Sequence, residues 1–173
     1  MTRFWLGDSP VGQHAFERAM AYARQSGHRR LQIQARGWLA LTFMYLPVPA
    51  DTAAARAEQL LQTADGDPWA GADIVIPLSQ IYAYAGRFAD ARGTIARAWS
   101  VHDRPGAKSR WALCAGLAGH IEQIAGDPPA AEHHLQEAYQ ALRAIGEQGF
   151  LSTWPSCSPK RCTRKAASTR RGK

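Results

Sequence analysis

The sequence predicts an all-α protein, an antiparallel helix-pair solenoid of about seven helices with a period of about 40 residues. Three observations predict it. Gly86 and Gly126 stand one such period apart, as do Ala91 and Ala131, Ile95 and Leu135, and Ala98 and Ala138. The small and apolar residues after each glycine fall at i, i+4 and i+7, which is one face of an α-helix. Gly66, Gly106 and Gly146 mark helix ends at the same spacing, and no alternating strand pattern of useful length occurs.

The elements follow in order. A helix is predicted over 11–26, where Phe16, Ala19 and Ala23 share a face and Gly27 is a stop signal. It reads as the second helix of a pair whose partner is missing or reduced to "RFWL". A long apolar helix is predicted over 29–46, ended by "PVPAD", since proline cannot continue a helix. Asp51 or Thr52 is expected to cap the next, over 51–64. Asp67–Pro68 and Asp127–Pro128 each place a capping aspartate before a proline suited to the first helical position. They open helices over 68–85 and 128–145, with 88–102 and 107–125 between them. Pro77 predicts a kink in the fourth helix, or a start as late as Pro77. The domain boundaries drawn from this are an N-terminal remnant at 1–10, a helical repeat domain at 11–150 and a disordered basic tail at 151–173.

Composition narrows the class. The 173 residues are 46% hydrophobic and 20% charged, ordinary for a globular protein. No run approaches the ~20 apolar residues of a membrane span. The start "MTRFWLGDSPVG" lacks the apolar stretch of a signal peptide. Three cysteines give no even disulfide framework, so the expected location is the reducing cytoplasm.

The net charge of +7 suggests nucleic acid until it is located. Seven of the 21 Lys/Arg lie after Thr153, and the remaining 14 balance 14 Asp/Glu. Three readings of this tail compete. A basic nucleic-acid arm would bind phosphate, but Trp154 is its only aromatic for stacking. Cys157 and Cys162 form a C-x4-C pair, two zinc ligands of the usual four. The third reading is translation out of frame. With permitted codon choices, the same bases read one nucleotide earlier spell VAELLAEALYAQGRLDEA. Its glycine falls at the place of Ala166 and its last alanine at that of Arg171, each one full period beyond Gly126 and Ala131. The expectation is a frameshifted, truncated chain from a GC-rich genome, with "GFLST" opening a fourth repeat.

These residues resemble tetratricopeptide (TPR-like) repeats. Leu78 and Tyr82 stand on the first helix, Gly86 at the turn, and Ala91, Ile95 and Ala98 on the second. The next pair matches with Gly119, Gly126, Ala131, Leu135 and Ala138, with Glu122 at the place of Tyr82. The period is longer than the usual TPR length. The stretch "AGDPPAAEHHLQEAYQALRAIGEQGFLST" also looks like the TPR-type region of large bacterial regulators that join an ATPase to a nucleotide-cyclase or DNA-binding domain. Neither a G-x-x-x-x-G-K phosphate loop nor a cyclase-like carboxylate pair is readable here, so only the array carries over. The resemblance implies a non-enzymatic protein-interaction scaffold, without cofactor, that binds a protein or peptide in a concave groove. By register that groove would present Arg36, Tyr45, Asp73, Gln80, Tyr84, His120 and Gln123. The alternative is a small nucleic-acid-binding protein acting through its tail.

Other candidates have plainer readings. His133 and His134 are adjacent, so their side chains diverge by about 100° and predict a solvated face rather than a metal site. Cys114 in "WALCAGLAG" reads as a small core residue. His120 reads as half-buried, and Trp38, Trp69, Trp99 and Trp111 as packing residues. Leu135, Ala138, Leu142 and Phe150 are expected to leave an apolar face uncovered at the end of the array, and so to favour self-association.

Overall fold

The computed structural model describes residues 9–147 apart from 65 and 67. Seven α-helices and no strand occur among them: α1 (Ser9–Gln25), α2 (Arg29–Phe43), α3 (Ala50–Gln62), α4 (Pro68–Tyr84), α5 (Phe88–His102), α6 (Lys108–Ala125) and α7 (Pro128–Ala144). The fold is all-α. No helix among the described residues is long and apolar enough to cross a membrane. Residues 1–8 and the tail from 148 onward, with the readings made of them, lie outside the described residues, as does Asp67.

The helices stop on a repeated backbone device. Gly86 has φ 75°, and the Arg87 N–H donates to the Tyr82 carbonyl at 2.8 Å while the Gly86 N–H donates to Ala83 at 3.0 Å. Gly126, at φ 81°, closes α6 with the same two bonds, from Asp127 to Glu122 and from Gly126 to Gln123. These bonds satisfy carbonyls that a helix end otherwise leaves open. A β-carbon at that φ costs about 1–2 kcal/mol, which is why the sequence carries glycine there. Positive φ recurs at Gly66, Gly86, Gly106, Gly126 and Gly146, so the chain turns at even intervals of half the repeat period.

Several helix ends fall one to three residues from expectation, and two of these shifts have a clear local cause. α2 ends at Phe43, before 46. Pro47 disfavours helical backbone at Leu46, and the Met44 and Tyr45 amides fold back onto Leu41 and Thr42. Neither Asp51 nor Thr52 caps α3. The extended backbone of Pro49 (φ −53°, ψ 143°) makes Ala50 the first helical residue, and Asp51 lies within the first turn. Its carboxylate then faces the positive end of the helix dipole. α4 runs unbroken from Pro68 through Pro77, without the late start. The cap on α7 forms as the sequence predicts: the Asp127 carboxylate accepts from the Ala130 N–H at 3.1 Å, with Pro128 beginning the helix.

The chain divides into two compact units between Val101 and His102. In the first, α1 packs on α2, α2 on α3 and α4, and α3 on α4. Twelve of the 17 residues of α4 are buried, so it is the unit's core. Proline cannot donate to the carbonyl four residues back, which for Pro77 is that of Asp73. α2 approaches that turn closely: a β-carbon on Gly37 would lie 3.0 Å from the Asp73 β-carbon.

In the second unit α6 packs on α7. Leu135 lies over Gly119, where an added β-carbon would meet Leu135 Cγ at 2.7 Å and the Ala131 carbonyl oxygen at 3.1 Å. Leu135, Ala138 and Leu142 are all buried, which corrects the expectation that they leave an apolar face uncovered. The reason is local. α6 approaches closely enough at Gly119 to cover Leu135, and burial of each leucine contributes roughly 1.5–3 kcal/mol. Phe150 lies outside the described residues.

Two alanine substitutions are expected to act in opposite directions. Gly119→Ala must displace Leu135 and a backbone carbonyl, and is expected to destabilise by about 1–3 kcal/mol. Gly93→Ala on α5, where nothing lies within 4 Å of the added carbon, is expected to stabilise by about 0.5–1 kcal/mol through helix propensity. Chemical denaturation midpoints check both, and a Gly119→Ala variant as stable as the parent would contradict the close approach.

Candidate functional site

A concavity in the first unit lies against α1 and α2. Phe16, Ala19 and Ala23 share a face of α1, while Leu31, Ala35 and Trp38 recur at i, i+4 and i+7 on α2. The Gly27 turn folds these apolar faces toward each other. The Phe16 and Trp38 rings stack at 5.9 Å, nearly parallel at 9°. The turn is held at one carbonyl: Ala23 accepts from the His28 N–H at 3.0 Å, the Ser26 hydroxyl at 3.2 Å and the Gln32 side-chain amide at 3.1 Å. The result is an open cleft of about 610 Å³, with Tyr22 60% and Leu31 47% exposed at its margin. Gln25, Ser26 and Gln34 supply its polar rim. Large apolar side chains left open to water around a concavity are the usual mark of an interaction surface. The spacing of Leu31, Ala35 and Trp38 is the signal in the sequence that could have found it.

A polar network ties α3 to the α4–α5 turn. The Tyr82 hydroxyl donates to Glu58 Oε1 at 2.6 Å. The Arg87 guanidinium lies over the Tyr82 ring at 4.3 Å, approaches Glu58 at 3.7 Å, and donates from Nε to Asp90 at 2.8 Å. Burial, followed by the Glu58 hydrogen bond and charge, pushes the Tyr82 phenol up to about 12. The sequence marks Tyr82 only as a repeat position, because Glu58 is 24 residues away and nothing local announces the pair.

The residues assigned to a concave groove are placed unevenly. In the first unit, Tyr45 and Tyr84 are both exposed and close enough to interact electrostatically. The Tyr84 phenol is raised by burial and then by Tyr45. Arg36 and Asp73 are half-buried, and the Arg36 Nε is buried without a hydrogen-bond acceptor. Gln80 is 1% exposed, its amide donating to Ser79 Oγ at 3.4 Å, so it belongs to the interior and not to a groove. In the second unit, Gln123 is exposed and His120 half-buried, the latter's pKa lowered by that burial.

The repeat positions Ala91, Ala98, Ala131 and Ala138 are buried. Cys114 is buried and unbridged. Trp38, Trp99 and Trp111 are half-buried, whereas Trp69 is exposed. His133 and His134 do not simply diverge into solvent. His133 Nε2 lies 3.7 Å and His134 Nδ1 3.3 Å from one Glu137 oxygen, Oε2. The chain matches no protein-family model, and no curated protein shows significant similarity to it.

Two titrations are expected to report these environments. Tyr82 is neutral in the fold and its folded pKa is the higher one. Its stabilising contribution is therefore present below about pH 10, the usual phenol value, and is lost as pH rises through about 12. Tyr82→Phe is expected to be less stable at pH 7 by about 1–2 kcal/mol, from the lost hydrogen bond, with a flatter alkaline limb. Denaturation midpoints between pH 7 and 12 read both.

His120 and His102 have folded pKa values below the usual one, His120 through burial and His102 through burial, then Arg110 and Arg104. Each holds stability above about 6.5 that is lost as pH falls through the folded value. Midpoints are expected to drop between pH 7 and 5, and to drop less in His120→Gln. An equal acid limb in that variant would show that His120 contributes nothing to it.

Proposed function

We propose that this chain is a non-enzymatic interaction scaffold, a TPR-like segment of a larger cytoplasmic signalling or transcriptional regulator. The observation that carries the reading is the apolar cleft on α1 and α2, with Tyr22 and Leu31 exposed around the Phe16–Trp38 stack. Its apolar lining suits the apolar face of an amphipathic helix, whose anchors recur at i, i+3 or i+4, and i+7. The even spacing of the glycine turns and the packing of α2 on α4 support a repeated helix-pair design. An array of such pairs would align its first helices along one side, where exposed Tyr45 and Tyr84 would stand.

The test is a display selection of helical peptides on the folded chain, followed by anisotropy measurements on the selected sequences. Selected peptides are expected to bind the parent and to lose at least about tenfold in the double variant Tyr22→Ser/Leu31→Ser, which removes both large apolar contacts at the cleft's margin. Peptides that bind parent and variant equally would place recognition elsewhere and remove the cleft from the proposal.

A further inference from the structure

We propose that His133, His134 and Glu137 on α7 form a binding site for a divalent transition-metal ion of the Zn2+, Ni2+ and Cu2+ class. Helical geometry brings the three together. At about 100° per residue, position i+4 lies about 40° around the helix from i and about 60° from i+1, one turn further on. Residues i, i+1 and i+4 therefore form a compact triangle, although i and i+1 alone diverge. Glu137 occupies the apex of that triangle above His133 and His134.

The side chains use it. One carboxylate oxygen, Glu137 Oε2, is 3.3 Å from His134 Nδ1 and 3.7 Å from His133 Nε2. The imidazole rings lean together, with centroids 5.4 Å apart and planes at 50°. One ligand atom from each residue lies within 4.8 Å of the other two. An ion held by bonds of ~2.0–2.1 Å in tetrahedral geometry sets its ligands about 3.3 Å apart. The two histidine-to-carboxylate separations are already near that value. Only the imidazole pair has to close, by side-chain rotation on a helix surface where His133 is exposed.

The donor set chooses the ion. Two imidazole nitrogens and one carboxylate suit Zn2+, Ni2+ and Cu2+, whereas Mg2+ and Ca2+ take all-oxygen sites. Neutral imidazoles leave Glu137 as the site's net charge; the exposed Glu132, next to His133 in sequence, is outside the ligand set. Three protein ligands leave at least one coordination position to water or to a donor from another molecule. Because the ligands come from neighbouring turns of one helix, the ion would brace α7 against fraying.

The experiment uses the full chain, untagged, reduced and stripped of metal. Zn2+ binding is measured by calorimetry, and Co2+ is added as a spectroscopic stand-in. One ion per chain is expected at this site, with nitrogen–oxygen d–d bands and no thiolate-to-cobalt charge-transfer band. His134→Ala and Glu137→Gln are each expected to weaken binding more than about tenfold, since even outer-shell losses cost roughly 10–100-fold. The double variant His133→Ala/His134→Ala is expected to abolish it, while Glu132→Gln leaves it within about twofold. Far-UV circular dichroism of every variant should match the parent. Absence of binding overturns the proposal. So does binding unchanged in the triad variants, or a thiolate band that disappears with Cys157→Ser, which would move the ion to the tail.

Discussion

The left-handed glycine turn is the constraint on which the remaining structure depends. At Gly27, Gly86, Gly126 and Gly146 the turn ends a helix and satisfies its last carbonyls through the glycine amide and the one after it. Its even recurrence limits each helix from α3 onward to between 13 and 18 residues. Helices of that length are marginal alone, so each must take its stability from a packed neighbour. In the pairs α1–α2, α3–α4 and α6–α7 that neighbour is the next helix in the chain, laid alongside by a short connection. In those three pairs local backbone chemistry and packing favour the same neighbour.

Small residues then set how closely the pairs approach. Gly119 brings α6 onto Leu135 of α7, and Gly37 brings α2 onto Asp73 of α4. At both places the missing β-carbon is occupied by the partner helix. Alanine serves the same purpose with less intimacy: Ala91, Ala98, Ala131 and Ala138 are buried. Such packing is rich in backbone contact and poor in large side chains. A single added methyl group is then felt more strongly than in a core of leucines, which can rotate to absorb it.

Much of the fold was legible because its signals are local. Glycine at a helix end, proline at a start and aspartate before it each act over a single turn of helix, and the seven helices fall close to that punctuation. What was not legible depended on more than one element. Register assigned Gln80 to a groove face, but α4 is covered on nearly every side, and only the packing of α2 and α3 reveals that. The Glu58–Tyr82 bond spans 24 residues and joins two helices. The cleft requires both the α1 and α2 faces and the turn between them. By the angle between two neighbours alone the histidine pair diverges, whereas the geometry is that of three residues, with Glu137 one turn above. Asp51 shows the reverse error, a good capping residue displaced because Pro49 had already begun the turn into α3.

The burial of α4 also bears on where this molecule can meet another. A helix apolar on nearly all sides must be surrounded, and its polar interior groups must be satisfied within. Ser79 does this by donating to the Ile76 carbonyl at 2.7 Å, and Thr42 on α2 does the same to Leu39. Tyr82 solves it differently, by reaching outward to Glu58 and carrying Arg87 over its ring. That arrangement uses the side chains nearest the α4–α5 turn for the fold rather than for a ligand. Large apolar side chains left exposed in the first unit lie on α1 and α2, at Val11, Tyr22 and Leu31, and at Tyr45, Trp69 and Tyr84. The middle of the core helix is fully covered, so α4 offers large exposed side chains only at its ends, at Trp69 and Tyr84, while α1 and α2 keep apolar faces that are half covered.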